Sequence, residues 1–431
     1  MTARTLPPSQ AASTPALSIL DQPVATLILA GINGALWGAV VSIMVGSGLA
    51  LLTGMELRPL LGPSMLAGLA ASVTFAALRR DDFNWRAPQS LASALVFAGV
   101  LLVASLGRPY AMTFAQAPMI WTVALLMATA GTQWVIAASQ HPIRFRAMNR
   151  FRRERAVMLS LRAFGFVFFG AMVVLPLYVM VMTSLKTQQA LLANPLNLFP
   201  SFENGLLGPL RSYIELFQIY GFGRYIWNSA LISLATVVVT LLFAVPGSYA
   251  VSRLSFPGRA TLSRSILMIY LVPAIVLVIP LYAIFAKLGL RDSLWGLLVV
   301  YPATTLPVAL YMLQGYFRGV PAELEEAGMM DGCSRLRVIW SITLPLSVPA
   351  LASVSLYVFM IAWNEFLFAF MFLDDPKMFT LSRGVVSLDS SEVPRQHLMA
   401  GAVVSTVPIV VIFLWAERFM VQGLTSGGVK G

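Results

Sequence analysis

The chain has 431 residues, of which 58% are hydrophobic and only 11% charged, with a mean hydropathy of +0.80. Soluble proteins carry about 25% charged residues, so one large soluble core is excluded and a polytopic membrane protein is indicated. The net charge of +11 has no polar domain to sit on, which argues against nucleic-acid binding and for Lys/Arg that set membrane topology.

The first 20 residues are polar, rich in Pro, Ser and Ala, and carry only Arg4. They lack a basic segment feeding a short apolar one, so residues 1–22 read as a flexible cytosolic tail and not as a signal peptide. Runs of roughly 17–25 apolar residues then predict ten spans. They fall near 24–45, 62–78, 89–106, 117–138, 163–184, 226–250, 264–285, 294–315, 347–372 and 399–420, the second and third being short. The first four, within 23–140, form an N-terminal membrane extension with short loops. Its opening span contains "GINGALWGAVV", where Gly34 and Gly38 have the small-xxx-small spacing that lets helices approach closely.

An Arg-rich linker, 141–157, contains "RFRAMNRFRRERA" and divides the chain. It reads as a cytosolic topology anchor, with anionic lipid headgroups as a further ligand. With the N-terminus inside, the inner segments hold nearly twice as many Lys/Arg as the outer ones, which places both termini in the cytoplasm. Residues 158–431 then hold six spans. The outer stretch 186–225 includes "SYIELFQIYGFGRYIW", whose aromatics suit a membrane interface or a docked receptor. Pro246-Gly247 predicts a kink or an end to the sixth span.

The segment "EEAGMMDGCSRLRVIWSITLP" (325–345) interrupts the apolar pattern on the cytosolic side. Pro321 suits a first helical position, and Glu323, Glu325 and Glu326 suit a helix N-terminus. Gly332 suits a left-handed C-cap, giving a helix of about 11 residues over 321–332, too short to span a bilayer. Leu324, Ala327, Gly328 and Asp331 would share a nearly bare face; Glu323, Glu326, Met329 and Met330 would occupy the other. Gly328 inside the helix costs about 1 kcal/mol relative to Ala, which suits a close backbone approach there. Ser334 would cap a second helix that returns to the bilayer at Leu344-Pro345. A connector lying on the membrane is the plainer reading, but a surface helix over anionic lipid favours Lys/Arg and this one is acidic, which points to a protein partner.

Within the ninth span, Asn364 and Glu365 are polar. A mid-helix carboxylate costs about 2.5–3.5 kcal/mol to insert, so Glu365 should face protein or water. It would line a translocation path or make a bundle contact. The single cysteine, Cys333, allows no internal disulfide, and His141 and His397 have no metal-ligand spacing.

Glu326, Ala327, Gly328, Gly332, Ile342, Leu344 and Pro345 match, residue for residue, the Glu-Ala-Ala/Gly … Gly … Ile-x-Leu-Pro signature of ABC-importer permeases. Residues 158–431 resemble that family. "NSALISLATVVVTLLFAVPGSYAVSRLSFPGR" (228–259), "AWNEFLFAFMFL" (362–373) and "QGLTSGGVKG" (422–431) are similar to its carbohydrate-uptake branch, the maltose-type second permease. The resemblance implies an all-α permease core of six helices in a bacterial inner membrane. It implies that Glu325, Glu326, Ala327, Gly328, Met329, Met330, Asp331 and Gly332 form a coupling helix against a separate ATPase. It also implies the partners: a second permease, two ATPase subunits and an extracytoplasmic binding protein, for a sugar or polyol. Residues 1–150 depart from the family's pattern. The four lysines follow Leu, Ala, Pro and Val, so no Walker A motif is present and ATP would bind the partner, leaving this chain without cofactor or enzymatic role. Two rivals stand beside this reading. A stand-alone secondary transporter would show several intramembrane charges and inverted repeats. A membrane-embedded enzyme would show clustered His, Asp or Glu.

Overall fold

The structure is a computed structural model that describes residues 23–78, 86–140, 150–195, 197, 199–202, 205, 207–270 and 272–425. The expected tail 1–22, the loop arginines Arg79 and Arg80, residues 141–149 of the Arg-rich linker and the last six residues lie outside the described residues. Among the described residues the secondary structure is helical, with no strand. Two compact units are present: Met1–Val179 with Gln189–Phe199, and Met180–Gln188 with Pro200–Gly431.

The first unit contains α1 (Pro23–Thr53), α2 (Leu61–Ala77), α3 (Arg86–Ala104), α4 (Pro118–Gln140), most of α5 (Arg150–Ser184) and most of α6 (Gln188–Ala193). Helices in lipid gain little from burying apolar surface, so they associate through close packing and hydrogen bonds. The α1–α2 contact shows both. A Cβ on Gly34 would overlap the Gly68 carbonyl and Ser72, one on Gly38 the Ser64 carbonyl, and one on Gly68 the Gly34 carbonyl. Gly34 and Gly38 thus meet a matching Ser64-xxx-Gly68-xxx-Ser72 groove on α2. Polar bonds fix the register: Ser72 Oγ of α2 donates to Ala30 O of α1 at 2.5 Å, while Asn33 Nδ2 donates to Ser139 Oγ at 3.0 Å and the Gln140 amide to the Ser72 hydroxyl, which ties α4 to both. The Ser93 hydroxyl lies 2.8 Å from Ala71 O and 2.7 Å from Gln133 Oε1. Trp37, Phe97, Leu101, Tyr110 and Ile136 fill the apolar core around them.

The second unit contains α7 (Arg211–Gln218), α8 (Phe222–Arg253), α9 (Arg259–Tyr270), α10 (Ala274–Lys287), α11 (Leu294–Gly319), α12 (Ala322–Met330), α13 (Arg335–Val338), α14 (Leu344–Leu346), α15 (Val348–Asn364), α16 (Leu367–Phe372), α17 (Leu381–Ser387) and α18 (Arg395–Thr425). Helix α8 buries a stripe of small residues, among them Ser229, Ser233, Thr236, Thr240, Ala244 and Ser248. Thr240 and Thr305 join it to α11 at 2.8 Å, and Gly247 admits Leu310 of α11. Helix α8 continues through Pro246 to Arg253, so Pro246-Gly247 does not end the sixth span.

The ten expected spans are not all single long helices. Among the described residues, six helices are long and apolar enough to cross a membrane: Leu27–Thr53, Pro118–Gln140, Val157–Ser184, Phe222–Arg253, Leu294–Gly319 and Arg395–Ala416. A bent pair, Arg335–Leu346 with Val348–Asn364, makes a seventh when taken as one span. The second and third expected spans are shorter helices. The seventh is divided ahead of Ala274, where Pro273 stands at the N-cap, and the ninth stops at Asn364 and restarts at Leu367. Hydropathy averaged over a window counts apolar residues and does not see backbone breaks.

Candidate functional site

Residues 321–347 form a folded hairpin of short helices. Pro321 takes the N-cap with φ −57° and ψ 129°, one place earlier than expected, and α12 has 9 residues where about 11 were expected. Glu323 and Glu325 lie in its first turn, where the positive end of the helix dipole favours carboxylates. Gly332 adopts φ +82°, Gly332 N–H donates to Met329 O and Cys333 N–H to Gly328 O, both at 3.1 Å. This closes the helix through a left-handed residue that suits glycine alone at no steric cost. Ser334 Oγ then accepts from Arg337 N–H at 3.4 Å and caps α13.

Beyond α13 the chain passes through a wider, π-type turn at Ile339–Thr343. Pro345 has no N–H for the helical ladder, and such turns absorb the mismatch. Ser347 ends α14, its hydroxyl donating to Thr343 O at 2.6 Å, and the helix axis turns by 75° into α15.

This geometry sorts the expected coupling residues. Glu326, Ala327, Met329, Met330, Asp331 and Gly332 are exposed, as are Glu323 and Leu324; Met330 is 88% exposed. Leu336 and Trp340 on the following segment are also exposed. Gly328 is buried: a Cβ there would come within 2.6 Å of Ile342 Cδ1 and 3.4 Å of Val338 Cγ2. Of the expected bare face, only Gly328 meets the returning segment of the same chain; Leu324, Ala327 and Asp331 stay exposed. Glu325 is also buried, at 6% exposure, and so stands apart from the other carboxylates of α12. Its Oε1 lies 3.4 Å from Arg253 Nε and accepts from Thr343 Oγ1 at 3.1 Å; its Oε2 accepts from Tyr249 OH at 3.0 Å.

Asn364 and Glu365 stand at the break between α15 and α16, not inside a continuous span. Asn364 is exposed, with Nδ2 donating back to Met360 O at 2.9 Å. Glu365 Oε1 accepts from Phe368 N–H at 2.9 Å and Oε2 from Ala369 N–H at 3.2 Å, so its carboxylate satisfies the otherwise open N–H groups of α16. Ser382 Oγ donates to Glu365 O at 2.6 Å and ties α17 to the same point. In α17, the Arg383 guanidinium lies 4.7 Å from the Phe370 ring centre and 4.4 Å from that of Phe379. Burial lowers the Arg383 pKa, offset in part by Asp374.

Sequence reasoning missed Tyr249, Arg253 and Thr343 as partners of Glu325, and Ser382 as the partner of Glu365. Arg253 counted only as a topology charge, because nothing local links it to a carboxylate 72 positions away. An Arg closing a long apolar helix, facing a loop with more carboxylates than lipid contact needs, is the signal that was available.

The model of a family described as "Binding-protein-dependent transport system inner membrane component" matches residues 243–426. The chain is 39% identical over 271 residues to the inner membrane ABC transporter permease protein YcjP of Escherichia coli, covering 62% of this chain and 95% of that protein. It is 33% identical over 283 residues to the trehalose/maltose transport system permease protein MalG of Thermococcus litoralis, covering 65% and 99%. Among solved structures, it is similar to a chain of a bacterial ABC transporter involved in the import of the acidic polysaccharide alginate. That likeness has a TM-score of 0.53 and 22% identity, covers 63% of this chain and 98% of the other, and bears on the fold. Each of these proteins is matched nearly whole by about two thirds of this chain.

Proposed function

This chain belongs to the family of binding-protein-dependent transport system inner membrane components, in its carbohydrate-uptake branch, and from that premise we propose that it couples a separate ATPase to sugar or polyol import. It would act with a second permease, two ATPase subunits and an extracytoplasmic binding protein. Both termini would be cytoplasmic, residues 158–431 would be the permease core, and residues 23–140 would be a peripheral bundle without a substrate site. The carbohydrate reading is supported by the trehalose/maltose permease among the relatives.

One observation carries the coupling role. Helix α12 lies between two long segments of the same chain and offers an exposed face of Glu323, Glu326, Met329 and Met330, continued by Leu336 and Trp340. Apolar and acidic side chains on a rigid, short helix suit a protein cleft better than a lipid surface. Asn364 and Glu365 would serve the permease core as polar contacts at a helix break.

Glu326→Lys reverses charge on the exposed face, and Gly332→Asp places a side chain on a left-handed residue. Each variant should insert into the membrane at normal abundance, lose co-purification of the ATPase and lose ATP-dependent uptake. Full transport by both would sink the coupling role.

A further inference from the structure

Glu325 faces away from the docking face of α12, and its surroundings give it a different task. We propose that Glu325 and Arg253 form a positioning pair that locks α12 to the C-terminal end of α8, so that displacement of α12 moves α8 instead of being absorbed by the intervening loop. The inference rests on the reading of α12 as the element that docks the ATPase.

Three attachments hold α12, one on each side and one within. Ahead of it, Arg253 Nη2 donates to Val320 O at 2.5 Å. Within it, Glu325 meets Arg253 Nε at 3.4 Å and the Tyr249 hydroxyl at 3.0 Å. Beyond it, Thr343 donates to the same carboxylate at 3.1 Å. The pair is largely shielded from water, with side-chain exposures of 13% for Arg253 and 8% for Glu325. In a low-dielectric setting separation of such charges is opposed more strongly than at a surface.

The receiving end of α8 is itself stiffened. Arg259 Nε donates to Val251 O at 2.7 Å and its Nη2 to Ser252 O at 2.6 Å, which closes carbonyls in the last turn. The Tyr249 ring stands edge-on to Phe317 of α11, with centres 6.0 Å apart. Farther along α8, Asn228 Nδ2 donates to Lys377 O and Phe379 O, both at 3.0 Å, and Ser229 Oγ accepts from Leu381 N–H at 2.7 Å. Helix α8 is therefore gripped by side-chain bonds at both ends, which suits it to carry a displacement from one end to the other.

A buried ion pair is weak support for stability, because an apolar pair of similar size commonly replaces it without loss. That separates positioning from folding. The double variant Glu325→Leu/Arg253→Met keeps volume and removes the charge lock; Glu325→Gln keeps hydrogen bonding and removes one charge. The test uses the whole transporter in lipid nanodiscs, with Cys333→Ser and a spin label on Trp227→Cys, an exposed site near the N-terminal end of α8. The probe is ATP with vanadate.

With the wild-type pair, ATP and vanadate should change the label's spectrum. In the double variant the ATPase should still co-purify and hydrolyse ATP, while the label's response falls by about tenfold, as expected for loss of a residue that carries coupling. Glu325→Gln should lie between. A full response in the double variant overturns the proposal, as does a wild-type label that never responds. Failure of the double variant to assemble assigns the pair to folding and overturns it too. Loss of ATPase co-purification from Glu326→Lys is a separate readout, so failure of the docking reading and failure of the positioning pair are distinguishable.

Discussion

Glutamates 325, 326 and 365 share a chemistry and differ in surroundings, and the difference decides what each does. Glu326 is exposed on α12, Glu325 is enclosed by Arg253, Tyr249 and Thr343, and Glu365 spends its oxygens on the backbone of α16. A Gln at position 365 retains one acceptor oxygen and so keeps part of the cap, whereas Ala keeps none; losing such a cap costs about 1 kcal/mol. Glu365→Gln should therefore leave most uptake intact and impair it less than Glu326→Lys does, and Glu365→Ala should lower the melting temperature of the purified transporter further. Uptake that vanishes in Glu365→Gln with assembly intact would show that the ionised carboxylate takes part in transport. The caps at Gly332 and Ser334 were legible in the sequence, because a cap is written within three or four residues of itself. The bonds of Glu325 were not, since its partners come from α8 and the π-type turn.

Whole elements follow the same rule. The existence of the long helices was legible because apolar runs of span length have few alternatives in a membrane. The divisions at Pro273 and at Glu365 were not, because one polar residue or one proline scarcely alters a hydropathy average. The α2 groove went unread although Gly34 and Gly38 were singled out, since Ser64 and Ser72 complete the small-xxx-small pattern with serine, not glycine. Another attachment joins α7 to α18: Glu215 Oε1 accepts from Arg211 Nε at 2.7 Å and Glu215 Oε2 lies 2.6 Å from His397 Nε2. Burial alone raises the Glu215 pKa, but Arg211 and His397 together outweigh it and leave the carboxyl below its ordinary value of 4.5. A lowered folded pKa means that the contribution is complete above the unfolded value and is lost as pH falls through the folded one. Thermal melts of the purified transporter from about pH 5 downward should therefore show a loss of stability in the wild type that is smaller in Glu215→Gln. Equal losses in the two proteins would mean that this contact does not link α7 to α18 through charge.

For the whole molecule, the question is what the N-terminal helices contribute. The relatives are matched nearly end to end by about two thirds of this chain, and the family model matches 243–426, so the remaining third has almost no counterpart in those proteins. The first unit has its own apolar core, its own glycine-lined helix contact and its own buried polar bonds, which are the ingredients of an independently packed membrane bundle. Ala163 and Val167 of α5 pack against that core. Removing residues 1–147, with Met148 as the new start, would uncover an apolar strip that lipid can cover at little cost. Arg150, Arg152, Arg153 and Arg155 would remain to hold the new N-terminus inside. The shortened chain, expressed with its partner subunits, should insert in the same orientation and retain measurable ATP-dependent uptake at reduced abundance. Quantitative immunoblotting of membranes beside uptake separates the two effects. Normal abundance and normal assembly with no uptake would place the extra helices inside the transport cycle, and the functional boundary would then move to the start of the chain.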